Sequence, residues 1–185
     1  MKKILLIAFV LMALLQLAVP LKMVLDQEKI IATGIEYKFR IAPVDPYDAF
    51  RGRYITLNFD KSSFEILSAD TFVRDESIYI CLKTDSAGFA DIKDVSKTVP
   101  AYKTDYVSAK VNYFYDSRLA FNFPFNKYYM EETKAPEAEK IYRDAIKRDT
   151  IQNAYALVSV KDGQAVLKDV IINGVSIKTL AAKHE

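Results

Sequence analysis

The sequence predicts an α+β chain: a mostly antiparallel β-sheet domain with one packed helix, preceded by a single N-terminal transmembrane helix. Three observations carry this. Residues 4–21 are apolar except for Gln16 and follow Lys2 and Lys3. Downstream, apolar and polar residues alternate at period two in several runs, the mark of half-buried strands. From Pro136 to Arg148 the apolar period lengthens to that of a helix. The order implies four parts: an anchor over 1–25, a connector over 26–33, an extracytoplasmic β-rich domain over 34–180 and a frayed C-terminus over 181–185.

The apolar run continues past Pro20 and Lys22 to Leu25. That is about 33 Å of helix at ~1.5 Å per residue, enough to cross a hydrocarbon core of ~30 Å with some tilt. The alternative is a cleaved signal peptide, which needs a small-x-small site beyond the apolar core. No such site follows at the usual distance, and the single cysteine, Cys81, is too distant for lipid attachment. Lys22 can snorkel to the far interface. The two leading lysines favour a cytoplasmic N-terminus and a domain outside the membrane.

The 26 basic and 24 acidic residues give a net charge of +2. Three of the basic residues (Lys2, Lys3, Lys22) precede Asp26 with no acid among them. The remainder is close to neutral, so nucleic acid is not an expected partner. One histidine and one cysteine, far apart, exclude the usual zinc sites. Only five glycines are present, and none forms a phosphate-cradling loop. No cofactor and no metal are expected. A serine/lysine peptidase needs a serine soon after the anchor, but Asp26 to Arg51 contains only Thr33.

Gly34 to Ala42 alternates cleanly: Ile35, Tyr37, Phe39 and Ile41 face in, while Glu36, Lys38 and Arg40 face out. Pro43–Phe59 then organises the chain. Pro43 and Pro46 keep the exit from this strand extended and stiff. Asp48 can close a turn onto backbone N–H groups, and Gly52 permits positive φ before the next strand. From Arg53, Ile55, Leu57 and Phe59 share one face. Asp45 and Asp48 lie close in sequence to Arg51 and Arg53, so ion pairs can pin the loop. Short strands are expected near Ser63–Leu67, Glu76–Lys83 and Phe89–Val95, then a loop over Lys97–Thr104. Both faces of Glu76–Lys83 are apolar, which makes Cys81 a buried thiol without a nearby base.

Asp105 to Tyr129 holds nine of the chain's 23 aromatic residues. Val107, Ala109, Val111, Tyr113 and Tyr115 alternate with Ser108, Lys110 and Asn112, Asp116-Ser117 turns the chain, and Leu119, Phe121, Phe123 and Phe125 alternate with Arg118, Ala120 and Asn122. This is a hairpin whose inward faces build an aromatic core. The belt from Tyr106 to Tyr129 can also be read as a stacking platform. Pro136 begins the packed helix, with Glu137 and Glu139 at its positive end. Asp162-Gly163 and Asn173-Gly174 then join three strands, Asn153–Lys161, Gln164–Ile172 and Val175–Leu180, in a closing meander.

The stretch Gly52-Arg53-Tyr54-Ile55-Thr56-Leu57-Asn58-Phe59 resembles the motif of the GDYXXLXY family. It departs twice: Arg53 stands where the motif has an acid, and Phe59 where it has a tyrosine. A charge reversal there argues against an essential catalytic acid. Lys127-Tyr128-Tyr129-Met130-Glu131-Glu132, with Glu139 following, is similar to the family's second landmark. The resemblance implies a single-pass protein of the bacterial cytoplasmic membrane, without an assigned activity, encoded beside a multi-span membrane protein. Its motif residues here are Gly52, Arg53, Tyr54, Leu57 and Phe59.

Three functions follow as expectations. The first is a non-enzymatic extracytoplasmic module acting with a membrane protein partner. The second is a module binding an envelope glycan or small ligand through the aromatic belt. The third is an enzyme of unspecified chemistry around Arg51, Arg53, Tyr128 and Glu131. A junction is expected where Asp45, Asp48, Arg51 and Arg53 meet Tyr128, Tyr129, Glu131, Glu132 and Glu139.

Overall fold

A computed structural model describes residues 2–42, 54–66, 71–101, 104–129 and 154–182. A long helix, α1 (Lys2–Thr33), leads into β1 (Ile35–Arg40). Then come β2 (Tyr54–Thr56), β3 (Ser63–Glu65), β4 (Ser77–Thr84) and β5 (Ala90–Ser96). The next three are β6 (Tyr106–Tyr115), β7 (Arg118–Asn122) and β8 (Lys127–Tyr129). β9 (Ala154–Lys161), β10 (Gln164–Ile172), β11 (Val175–Ser176) and a short helix, α2 (Ile177–Ala182), follow. Named strands pair antiparallel in three sheets: β1-β9-β10-β11, β3-β7-β6-β4-β5 and the ribbon β2-β8. The predicted helix Pro136–Arg148 lies outside the described residues.

Helix α1 has 32 residues, about 48 Å at ~1.5 Å per residue. It is long and apolar enough to cross a membrane, and none of its apolar window is buried among the described residues. Pro20 sits inside it and removes the N–H that the Gln16 carbonyl would accept. The connector 26–33 is helical, so the apolar helix runs unbroken to the domain. There Ile30 is buried, and the Gly34 N–H closes the helix by donating to the Ile30 carbonyl at 2.8 Å. A Cβ on Gly34 would stand 2.5 Å from the Ile30 oxygen and 3.0 Å from the Val160 oxygen. Lys161 Nζ donates to Thr33 Oγ1 at 2.6 Å, and that hydroxyl donates to the Lys29 carbonyl at 2.7 Å.

Three hairpin turns use positive φ at both central residues: Asp116-Ser117, Asp162-Gly163 and Asn173-Gly174. That is the geometry whose twist matches the flanking strands. In β1, Tyr37, Phe39 and neighbouring Ile41 point inward as their alternation predicts, but Ile35 at the strand's start is exposed. β4 lies between β5 and β6, and Cys81 is buried there. Burial, then the nearby Asp94 carboxylate, pushes its thiol pKa up. β5 and β3 lie at the edges of the five-stranded sheet.

Two further expectations are corrected. Tyr113 and Tyr115 face out, 52% and 79% exposed. The ladder slips between Val111 and Tyr113, leaving Asn112 as the extra residue of a bulge. The slip reverses the alternation and turns Phe114 toward the core instead. The last strand is also shorter than Val175–Leu180, because only Val175 and Ser176 pair with β10. The Ser176 hydroxyl accepts from the Lys178 N–H at 3.3 Å at the start of α2, and Ile177 is fully buried.

The hydrophobic core is shared by all three sheets. Phe39, Phe59, Phe123 and Phe125 interlock at its centre, with every pair of ring centroids 4.9–5.7 Å apart. Edge-to-face and offset rings at such spacings add to the stabilisation from burial alone. The sheets are also stitched by backbone bonds: Ile41 bridges Phe59, and Val107 bridges Gly163.

Candidate functional site

The motif strand and the second landmark are direct neighbours. Tyr54 lies opposite Tyr129, Ile55 opposite Tyr128 and Thr56 opposite Lys127. The Leu57 N–H extends this ribbon by donating to the Asn126 carbonyl at 2.8 Å. On its other side, the Ala42 N–H donates to the Asn58 carbonyl at 2.8 Å. The motif is thus laced between the end of β1 and the approach to β8. Leu57 and Phe59 are buried. The ring neighbours of Phe59 are Phe39, Phe123 and Phe125, so the position needs no hydroxyl and a phenylalanine leaves nothing unsatisfied. On the exposed side, the Tyr54 and Tyr129 rings pair at 5.4 Å, and Lys127 Nζ sits 4.7 Å from the Tyr54 ring.

Two tyrosines carry part-buried hydrogen bonds that the sequence does not reveal. Tyr128 Oη donates to Asp169 Oδ1 at 2.9 Å, and that oxygen also accepts the Val170 N–H at 2.8 Å. Tyr37 Oη donates to Asp105 Oδ2 at 2.7 Å. Burial raises both phenol pKa values well above 10, helped by the hydrogen bond to the carboxylate and by its charge. Neither phenol is poised to act as a base. Among the described residues, no group of His, Cys, Asp or Glu side chains could hold a metal ion.

A pocket of about 220 Å³ opens beside the motif. Leu57, Phe59, Phe121 and Phe123 form its floor. Four asparagines line it: Asn58 after β2, Asn112 at the bulge, Asn122 at the end of β7 and Asn126 before β8. Tyr113, Ser62, Ser63 and Arg118 complete the rim. Arg118 donates through Nε and one terminal nitrogen to Ser63 Oγ at 3.1 and 3.0 Å. A larger open groove of about 670 Å³ lies where Gln27 and Ile30 of α1 meet Gly163–Val166, Phe123 and Pro124.

The expected site residues are therefore placed in part. Tyr54, Leu57, Phe59, Tyr128 and Tyr129 come together. Asp45, Asp48, Arg51, Gly52 and Arg53, and Glu131, Glu132 and Glu139, lie outside the described residues. The asparagine pocket escaped the sequence because each asparagine reads alone as an ordinary outward residue. Only strand register gathers them. Neither a curated protein nor a solved structure matches this chain. The family model described as GDYXXLXY protein matches residues 16–170, from the middle of α1 almost to the end of β10. With the motif at Gly52–Phe59 and most of its length covered, the chain belongs to the GDYXXLXY family.

Proposed function

We propose that this protein is a single-pass, non-enzymatic module that presents its β-rich domain outside the cytoplasmic membrane and binds a membrane protein partner. Gln16 carries this reading. It is the polar residue in the middle of the apolar run, it is exposed, and Pro20 frees its carbonyl from the helix ladder. An amide side chain and an unbonded carbonyl therefore share one level of the span. In hydrocarbon such groups seek a hydrogen-bonding partner helix. The groove beside Gln27 and Ile30 continues that face just beyond the span and offers the partner a largely apolar seat. Lys2 and Lys3 support a cytoplasmic N-terminus. The pairing of Tyr54 with Tyr129 supports a second contact surface on this ribbon, to which Arg51, Arg53, Glu131 and Glu132, close to it in sequence, are proposed to contribute.

The test uses the full chain in its own membrane. A reporter active only outside the cytoplasm, fused after Lys183, should be active, and the chain should resist alkaline washing. A photocrosslinking residue at position 16 should capture a different multi-span protein, and one at Leu5 should not. Gln16→Leu should abolish co-purification of that protein in mild detergent. Crosslinks only between copies of this chain would sink the partner reading. A freely soluble, shortened product would sink the anchor.

A further inference from the structure

We propose that the pocket beside the motif binds a saccharide unit. The four amides hold its hydroxyls, Tyr113 covers its apolar ring face, and Arg118 meets an acidic substituent. Each amide offers a donor pair and an acceptor on one planar group, which suits neighbouring hydroxyls that both donate and accept. The side-chain amides of Asn58, Asn112, Asn122 and Asn126 make no hydrogen bond to other described residues. They come from separate elements and converge on one space of about 220 Å³, room for a single sugar ring.

The bulge supplies the second argument. It adds Asn112 to the rim and reverses Tyr113, which lies half-exposed at the pocket instead of in the core. Bulges recur where a side chain must be re-aimed toward a ligand. The floor beneath is apolar and fixed, because Leu57, Phe59, Phe121 and Phe123 are all buried in the core. An apolar base with a few placed polar groups is the usual make-up of a small-molecule site.

Charge narrows the class. Among the described residues no carboxylate lines the pocket, and Arg118 is the one cation there. Its bonds to Ser63 Oγ hold the guanidinium in place and leave its other N–H groups unused among the described residues. A guanidinium fork fits a carboxylate. A peptide strand is disfavoured because it would need free main-chain edges. Around the pocket the main chain is already committed: β7 pairs with both β3 and β6, and Leu57 is bonded to Asn126.

The experiment is saturation-transfer NMR on the full-length chain in detergent micelles, with D-glucuronate and D-glucose as probes. Ring protons of glucuronate should receive saturation, and glucose should bind more weakly. Asn112→Ala with Asn122→Ala should weaken glucuronate about tenfold, the loss of one or two exposed hydrogen bonds. Asn58→Ala serves as an independent variant, and thermal melts establish that each variant is folded. Arg118→Met should remove the preference for glucuronate while keeping binding of glucose. No transfer to either sugar would overturn the proposal. Transfer unchanged in the folded asparagine variants would do the same. So would transfer to a capped Gly-Ser-Asn-Gly peptide with none to the sugars. A glucuronate preference that survives Arg118→Met would overturn the role of Arg118.

Discussion

Replacing Tyr128 by phenylalanine isolates one part-buried hydrogen bond and gives it a pH signature. The ring keeps its place between the core and Lys178, whose Nζ lies 5.6 Å from its centroid. Only the hydroxyl is lost, along with its 2.9 Å bond to Asp169. A bond to a charged acceptor contributes about 1.5–3 kcal/mol. Asp169 Oδ1 keeps the Val170 N–H, which lowers the expected loss to about 1–2 kcal/mol near pH 8. The phenol's pKa is raised in the folded chain above its ordinary value of 10.0. Its contribution is therefore fully present below pH 10 and declines as pH rises above it, where the unfolded chain releases the proton and the folded chain holds it. The decline approaches about 1.4 kcal/mol per pH unit for one proton. The stability gap between wild type and Tyr128→Phe should thus be constant up to pH 10 and close about one to two units above it. Denaturant unfolding of the full chain in micelles, followed by near-ultraviolet circular dichroism, measures both curves. A gap that stays constant to pH 12 would refute the argument.

Three further outcomes are expected. Phe123→Ala, in the centre of the four-phenylalanine cluster, should destabilise the fold by about 3–5 kcal/mol; wild-type denaturation would show that the cluster is not core. Gly34→Ala forces a Cβ against two backbone oxygens and should lower stability by about 1–3 kcal/mol, with new protease cleavage between α1 and β1. A double-mutant cycle on Arg51→Ala and Glu131→Ala should show coupling above about 1 kcal/mol, and coupling near zero would remove these charges from the proposed contact surface.

Much of the sheet was legible because side-chain burial fixes a period of two. Ile78, Ile80 and Leu82, or Phe121 followed by Phe123 and Phe125, declare their face without any tertiary information. Asp162-Gly163 and Asn173-Gly174 were legible because few residue pairs accept positive φ twice. The bulge at Asn112 was not, since it is a property of two strands in register and leaves no mark on either one alone. The same holds for the amide pocket, whose members lie up to 68 positions apart and share only a place in space. α2 was misread as strand because Val175, Ile177 and Leu180 are apolar in a spacing that suits either element. The burial of the Ile177 side chain and the turn at Ser176 decided it, and both depend on the finished fold.

The closed joint at Gly34 gives the domain a compass bearing. Ile30, the Gly34 contacts and the Lys161–Thr33–Lys29 chain leave no swivel between α1 and the sheet. Rotation of the helix about its own axis therefore rotates the whole domain with it. Inserting one residue between Leu21 and Asp26 would swing the domain through ~100°, whereas four residues would return it to within ~40° and lift it by ~6 Å. Whatever grips the helix at the level of Gln16 thereby also chooses which flank of the domain is turned toward it.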